Sequence, residues 1–432
     1  MRSPRPCASF SDAFIEDFLM NNDVTTAPAA GPIERRRLHA VLAIASAAFF
    51  LLFGYETVRS ASVSMFINAY GAARLPYVMA LSPVGVIVMI YGYGRLLTRL
   101  GAGRTLAVTS LLSGVVLAGC YVAAEMGSAP ATALLYVLRE GYIVLVIEQY
   151  WSFINSTLAT SEARRLNGPV CGIASVGAVL GGLTVGRLAP IIGTEALVAV
   201  AAATLIPAAV MGSLAYRVAG PPRDETTTDR QAVLGLGLFR QHRTLGHVAL
   251  LILLTQLFST LLDLRFSTLT EVALPEKDTR TAFFGDFYAA LNGTAFLLQF
   301  VVTPLVLRYV SLRQVHLAIP LLHMFAMGVV FFEPTLAVAA VAFLLFKSID
   351  YSVFRATKEI LYIPLPYDAR YRAKEVIDAF GYRASKGVTS GAVSVVTMIM
   401  GAIPGFIYPV AGFATALGWW RTADRATREP MA

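Results

Sequence analysis

The stretch TLAVTSLLSGVVLAGCYVAA, residues 105–124, contains 20 residues and no charged side chain. An α-helix of this length crosses the hydrocarbon core of a bilayer, which is about 30 Å thick. Residues 195–216 and 388–403 have a similar apolar character. A soluble core does not need so many helices that are apolar on all sides. The sequence therefore predicts an integral membrane protein.

The whole composition agrees with this prediction. Of 432 residues, 56% are hydrophobic and 14% are charged, whereas an average soluble domain has about 25% charged residues. We expect an all-α polytopic membrane protein with about 12 transmembrane helices in two six-helix halves. The hydrophobic runs place the spans near residues 39–55, 75–94, 105–124, 131–156, 168–190, 195–216, 245–264, 283–307, 315–332, 335–357, 387–403 and 405–420.

A polar connection divides these spans six and six. It contains Pro221, Pro222 and a run of three threonines. We expect a polar N-terminal segment (1–33), an N-terminal half (34–216), a linker (217–246), a C-terminal half (247–422) and a tail (423–432). The turn GRLLTRLGAGR, residues 94–104, resembles the Gly-x-Leu-x-Asp-Arg-x-Gly-x-Arg loop of major facilitator transporters, with Thr98 in place of the acidic residue. That resemblance implies the same two-half arrangement.

The net charge of +8 comes mainly from short loops between apolar spans. Nearly all loop Lys and Arg residues after residue 34 fall in the even-numbered turns, and the opposite turns hold Arg74, Lys277 and Arg280. Positive charge accumulates on the cytoplasmic side of membrane proteins. We therefore expect a multi-pass protein of the bacterial inner membrane with both termini in the cytoplasm. The excess of basic residues is then explained by the lipid bilayer as partner, and we expect no nucleic-acid partner.

Ionisable side chains within spans are costly and mark functional or paired sites. Those that we single out, in the predicted spans or at their ends, are Glu56, Arg59, Arg139, Glu140, Glu148, Asp263, Arg265, Lys347 and Asp350. Glu56 and Arg59 are three residues apart, as are Lys347 and Asp350, so each pair shares a helix face and is a candidate structural ion pair. Cations in both halves favour an anionic substrate, whereas Glu140, Glu148 and Asp263 are candidate proton sites.

The sequence does not indicate an enzyme or a cofactor. The five histidines have no metal-ligand spacing, and no glycine-rich phosphate loop precedes a helix. We therefore expect no metal site and no catalytic residues, and transport driven by gradients or exchange. The fifth span also contains Gly177, Gly181, Gly182 and Gly186, whose four-residue spacing predicts close helix contact, either static or sliding.

The most specific stretch is KSIDYSVFRATKEILYIPL, residues 347–365, followed by KEVID at 374–378 and GYRASKG at 381–387. It resembles the ATP/ADP translocases, and is closer to their free-living bacterial relatives. YWSFIN at 150–155 and EARR at 162–165 resemble two further family motifs. The resemblance implies a nucleotide transporter. It places Glu140 within a residue of a glutamate implicated in nucleotide translocation, and Asp263 near an acidic position of the family. Ser385, Lys386 and Gly387 resemble a degraded form of the family's Gly-Lys-Ser-Gly turn.

The leading hypothesis is a secondary transporter of an anionic, nucleotide-like metabolite, with ATP/ADP-type exchange as one form. Arg59 and Lys347 would hold the phosphates from opposite walls, and Tyr55 or Trp151 would stack on a base. Asn292 is also assigned to substrate binding, together with Glu140 and Asp263, which would balance the charge. Gating or ion pairing is assigned to Glu56, Asp350, Lys358 and Lys386. A proton-coupled carrier of another organic nutrient is the alternative, and a membrane scaffold or sensor without flux is a third. The segment 362–367 is expected to form a cytoplasmic gate.

Overall fold

The computed structural model describes residues 35–157, 160–220, 243–363, 382–401 and 403–428, and every regular element among them is helical. Two of these elements are single π-helical turns, Leu298–Val302 and Asp350–Phe354. The α-helices, numbered α1 to α13 in chain order, are Arg35–Tyr70, Leu75–Glu125, Ala129–Thr157, Thr160–Ile192, Thr194–Ala219, Arg243–Ala273, Lys277–Leu297, Thr303–Tyr309, Leu312–Phe332, Leu336–Ile349, Arg355–Ile360, Tyr382–Met400 and Ile407–Arg428.

This helix order confirms the predicted fold class. Nine helical stretches in the described part of the chain are long and apolar enough to cross a membrane. One of them contains two predicted spans, because α2 runs through the turn at residues 94–104. Gly101, with φ 72°, interrupts the helical backbone there, and a residue without Cβ adopts this left-handed conformation easily. The last two predicted spans correspond to α12 and α13.

Two helices continue well beyond the predicted ends of their spans. The first span is predicted near 39–55, but α1 continues to Tyr70. The seventh is predicted near 245–264, but α6 continues to Ala273. In both cases a long helix extends beyond its continuous apolar run, because serines and threonines continue it. Their hydroxyls bond back to carbonyls of the preceding turn, as Ser60 does with Glu56 O at 3.0 Å, so they need no water.

The described chain divides into two compact units that do not follow chain order completely. Unit 1 contains the described residues within Met1–Met65, Val84–Thr226 and Lys277–Asn292. Unit 2 contains those within Phe66–Pro83, Thr227–Glu276 and Gly293–Ala432. The beginning of α7 therefore belongs to unit 1, together with residues from the predicted N-terminal half.

Glycines bring three helices of unit 1 close together. A Cβ at Gly177 or Gly181 of α4 would overlap the backbone of Phe49 or Phe53 of α1. A Cβ at Gly182 would lie 2.7 Å from Gly285 O of α7. Neighbouring positions on α4 therefore contact two different helices, and small residues permit both contacts.

Unit 2 is built around an aromatic core. Helix α13 packs against α9 and α6, and α6 also contacts α10 and α12. The ring of Phe258 lies 5.0 Å from that of Phe346 and 6.4 Å from that of Trp419. The two π-helical turns also pack against each other in this unit. Because π-helical turns are rare and often occur at functional sites, the region around Asp350 is a candidate functional site.

Candidate functional site

Arg59 is a membrane-embedded cation of unit 1, and its side chain is 13% exposed. It lies within α1, eleven residues before this helix ends at Tyr70. Its Nη1 atom is 3.3 Å from each carboxylate oxygen of Glu56, one turn earlier on the same helix. The contact is longer than the usual 2.7–2.9 Å for a charge-assisted hydrogen bond. Arg59 and Glu56 thus form a loose ion pair.

Aromatic rings hold the guanidinium of Arg59 in place. Its Cζ atom lies 3.8 Å from the ring centroid of Tyr288 on α7 and 5.9 Å from that of Tyr55 on α1. Tyr55 in turn makes an edge contact with Tyr142 on α3, with the centroids 6.2 Å apart. A cation over an aromatic face is stabilised by the ring quadrupole. Tyr288 is not among the predicted site residues, because nothing in the local pattern of α7 distinguishes it from a core tyrosine.

Arg139 links α3 to the part of α1 that carries Arg59. Its Nη1 donates hydrogen bonds to Arg59 O at 2.8 Å and to Ser62 Oγ at 2.9 Å. Its Nη2 is 3.4 Å from a carboxylate oxygen of Glu140, and its Cζ lies 3.9 Å from the ring centroid of Tyr136. Arg139 is buried and was absent from the predicted binding set. Its position as a mid-span cation was the signal that could have found it.

These side chains form one group, which we call the Arg59 cluster: Tyr55, Glu56, Arg59, Arg139, Glu140, Tyr288 and Asn292. Asn292 of α7 belongs to it because its amide interacts with the Glu56 carboxylate. The Nδ2 atom of Asn292 is buried and makes no well-aligned hydrogen bond to the described residues. With all four ionisable groups charged, two arginines and two glutamates balance, and the cluster is neutral.

Lys347 lies in unit 2 among aromatic rings. Its Nζ atom is 5.4 Å from the ring centroid of Phe346, 5.5 Å from that of Tyr351 and 5.9 Å from that of Phe343. Asp350 begins the second π-helical turn and is buried. Among the described residues, Lys347 and Asp350 form no ion pair within 4.0 Å, although each is close enough to influence the other electrostatically.

Lys358 and Glu359 form a buried ion pair at the end of α11. Nζ of Lys358 is 3.1 Å from Oε1 of Glu359, and it lies 5.9 Å from the ring centroid of Tyr362. Adjacent charged side chains buried at one helix end are costly unless they are paired. The remainder of the expected cytoplasmic gate, residues 364–367, lies outside the described residues, as do KEVID at 374–378 and the first residue of GYRASKG.

Besides Lys347, Asp350 and Lys358, four further predicted site residues are not members of the Arg59 cluster. Trp151 is 5% exposed and makes an edge contact with Tyr150. Glu148 is exposed on α3, Asp263 is half-buried on α6 and Lys386 is half-buried on α12. The side chains of the EARR motif at 162–165 lie outside the described residues. Among the residues that the structure describes, no three His, Cys, Asp or Glu residues could hold a metal ion.

Two sequence comparisons give the same family. The family described as "TLC ATP/ADP transporter" matches residues 289–420, which include the Lys347 motif. The ADP,ATP carrier protein 1 of Rickettsia prowazekii (strain Madrid E) is 28% identical over 195 residues, covering 40% of this chain. The match spans 37% of the length of that carrier. These findings confirm the predicted resemblance.

Solved transporter structures share the fold. The nucleoside transporter NupG has a TM-score of 0.63 at 12% identity, covering 91% of this chain and 99% of its own. The xylose transporter XylE from E. coli, in an inward open conformation, has a TM-score of 0.58 at 15% identity and covers 88% of this chain and 95% of its own. This chain is therefore an all-helical, multi-pass membrane protein with a major facilitator-like fold, related through residues 289–420 to the ATP/ADP transporter family.

Proposed function

We propose that this chain is a secondary transporter that moves an anionic, nucleotide-like metabolite across the bacterial inner membrane by alternating access. ATP/ADP-type exchange is the form that we favour, with both termini in the cytoplasm. Support comes from the family match over residues 289–420 and from the ADP,ATP carrier that is similar over 195 residues. The substrate would be recognised by its phosphate charge and its base.

The observation that carries this function is the fixed guanidinium of Arg59 inside a membrane-spanning helix. A planar guanidinium binds two phosphate oxygens at once, and it stays charged under all physiological conditions. The ring of Tyr288 at 3.8 Å restrains it, so less conformational entropy is lost when a phosphate binds. Desolvation of a charged side chain within a membrane span is unfavourable, so a span that served only as an anchor would not be expected to contain a guanidinium.

Lys347 is the second cation to which we assign phosphate binding. Its ammonium group lies beside aromatic rings and within 4.0 Å of no carboxylate among the described residues. An ammonium group is a compact point charge that suits phosphate without fixing its orientation. Asp350 is buried nearby and limits the excess positive charge when substrate is absent.

Tyr55 supports a base-stacking role better than Trp151 does. Tyr55 is half-buried beside Arg59, whereas Trp151 is 5% exposed. Stacking needs one free ring face, and an aromatic platform tolerates different bases. Asn292 and Glu140 complete the polar surroundings of the substrate, and Asp263 contributes to charge balance.

Uptake into proteoliposomes tests this function. Labelled ATP, ADP, GTP, adenosine and inorganic phosphate should be compared for the unchanged protein, Arg59→Gln and Lys347→Met. We expect phosphorylated nucleotides to be transported faster than adenosine, and each substitution to lower nucleotide uptake at least tenfold at equal protein content. Arg308→Gln is a matched control, because Arg308 also lies over a tyrosine ring, at 5.3 Å, but is exposed. Nucleotide uptake that both substitutions leave unchanged would contradict the assignment.

A further inference from the structure

Arg59 has an anionic partner on its own helix. The Glu56 carboxylate is buried, with the whole residue 3% exposed, and both of its oxygens lie 3.3 Å from Nη1 of Arg59. A phosphate that binds Arg59 through Nη1 needs the donor that faces this carboxylate. Glu56 and the substrate therefore compete for the same guanidinium.

Electrostatic repulsion opposes the binding of Glu56 and a phosphate to Arg59 at the same time. A phosphate placed on Arg59 while Glu56 stays ionised beside it brings two anions together in a region of low dielectric constant, where like charges repel strongly. Arg139 relieves this only in part, because its Nη1 atom is engaged by Arg59 O and Ser62 Oγ and its Nη2 faces Glu140. Its buried Nε is the one donor that makes no hydrogen bond to the described residues. The Glu56 carboxylate must move away when an anion arrives.

A new position for the carboxylate exists on α7. The Asn292 amide already interacts with Glu56, and its buried Nδ2 atom makes no well-aligned hydrogen bond to the described residues. A buried donor without a partner is unfavourable, and a carboxylate that turns towards it removes that cost. Turning of Glu56 towards Asn292 would therefore become favourable once a phosphate occupies Arg59.

We propose that Glu56 is an internal counter-anion that neutralises Arg59 in the empty site, is displaced onto Asn292 by an anionic substrate, and so sets the affinity of the site. This inference rests on the proposed function for the identity of the substrate. It assigns Glu56 a role in substrate affinity, and it assigns Asn292 the role of a positioning residue that receives the displaced carboxylate.

Equilibrium binding to purified protein in lipid nanodiscs tests this role. Labelled ATP and pyrophosphate serve as the two probes, at low salt and pH 7.5. Glu56→Gln should bind ATP at least tenfold more tightly than the unchanged protein, because the competing charge is gone. Asn292→Ala should bind ATP several-fold more weakly in the unchanged background and have no effect in the Glu56→Gln background. Such non-additivity indicates that the two side chains act on the ligand together.

A second variant covers the case in which Glu56→Gln does not fold. The double substitution Glu56→Gln with Asn292→Asp keeps the net charge but moves the carboxylate from α1 to α7, away from Arg59. This variant should also bind ATP more tightly. If neither variant binds ATP or pyrophosphate more tightly than the unchanged protein, the counter-anion role is wrong. Tighter pyrophosphate binding without any nucleotide binding would support Glu56 as the counter-anion and remove nucleotides as substrate. If nucleotide transport is normal and requires Arg59, but neither variant binds more tightly, the proposed function stands and the counter-anion role of Glu56 is wrong.

Discussion

At the scale of single residues, the position of the Arg59 guanidinium depends on the ring of Tyr288. The 3.8 Å separation from the ring centroid is well inside the ~6 Å limit for a cation–π interaction, and a desolvated example is worth about 2 kcal/mol. Tyr288 is thus a positioning residue for the proposed substrate-binding cation.

The Tyr288 ring can be tested by two substitutions. Tyr288→Phe keeps the aromatic face, so nucleotide uptake should stay within about twofold of the unchanged protein. Tyr288→Leu removes the face, and uptake should fall by roughly tenfold or more, as expected from the loss of about 2 kcal/mol. Initial uptake rates at several nucleotide concentrations are the measurement. Equal rates for the two variants would show that the ring does not position Arg59.

Lys347 and Asp350 provide a second test at this scale. Because the structure shows no ion pair between them within 4.0 Å among the described residues, Lys347→Met should leave the melting temperature nearly unchanged while uptake falls sharply. The double variant Lys347→Met with Asp350→Asn should not recover uptake. Melting curves and initial rates on the same preparations decide the point. Recovery of both stability and flux in the double variant would make the pair structural, because removing both buried charges relieves the unpaired carboxylate.

The sequence alone predicted these residues unequally, for a physical reason. Charged side chains within apolar spans stand out because burying them is unfavourable, so Glu56, Arg59, Glu140 and Lys347 could be named without a structure. Their partners could not, because the contact of Arg59 with Tyr288 joins segments far apart in the chain. The same holds for Asn292 beside Glu56. Pairing across spans depends on tertiary packing, which local periodicity does not contain.

At the scale of helices, glycines decide which elements of unit 1 can approach one another. The four-residue spacing in α4 predicted close contacts, but it did not identify the partner helices. The structure shows α1 on one glycine pair and α7 on the other. At Gly285 of α7, a Cβ would lie 2.7 Å from Gly182 O and 2.6 Å from Gly186 N.

Gly285→Ala should therefore separate α7 from α4 and move Tyr288 away from Arg59. We expect a melting temperature several degrees lower and nucleotide uptake reduced at least fivefold, because backbone atoms cannot make room as a flexible side chain does. Gly119→Ala in α2 is the matched control, since no atom lies within 4 Å of the added Cβ. A Gly285→Ala protein as stable and as active as the control would show that this helix contact is not needed.

At the scale of the whole molecule, the compact units differ from the predicted halves in two segments, 66–83 and 277–292. Hydropathy and the polar linker define the halves by chain order, but compactness depends on contacts. The beginning of α7 belongs to unit 1 because its residues bond there: Asp278 accepts a hydrogen bond from Thr194 Oγ1 at 2.6 Å. Arg280 Nη2 donates to Ser64 O at 3.0 Å.

The orientation in the membrane can be tested with single cysteines in a background from which Cys7, Cys120 and Cys171 have been removed. The positive-inside rule places Thr98 in the cytoplasm and Ala73 outside, and both side chains are exposed. In intact cells, Ala73→Cys should react with an impermeant thiol reagent, and Thr98→Cys should react only after the cells are opened. The reverse pattern would require an inverted orientation.

The measurement that tests the central claim most directly is nucleotide exchange across vesicles with purified protein. An exchanger needs a counter-substrate inside, so vesicles preloaded with unlabelled nucleotide should take up labelled nucleotide at least about tenfold faster than empty vesicles, and an uncoupler should leave that rate nearly unchanged. A proton-coupled carrier would instead fill empty vesicles, stop when an uncoupler is added, and lose activity when Glu140, Glu148 or Asp263 is changed to its amide. That result, or the absence of any nucleotide flux under either condition, would contradict nucleotide exchange.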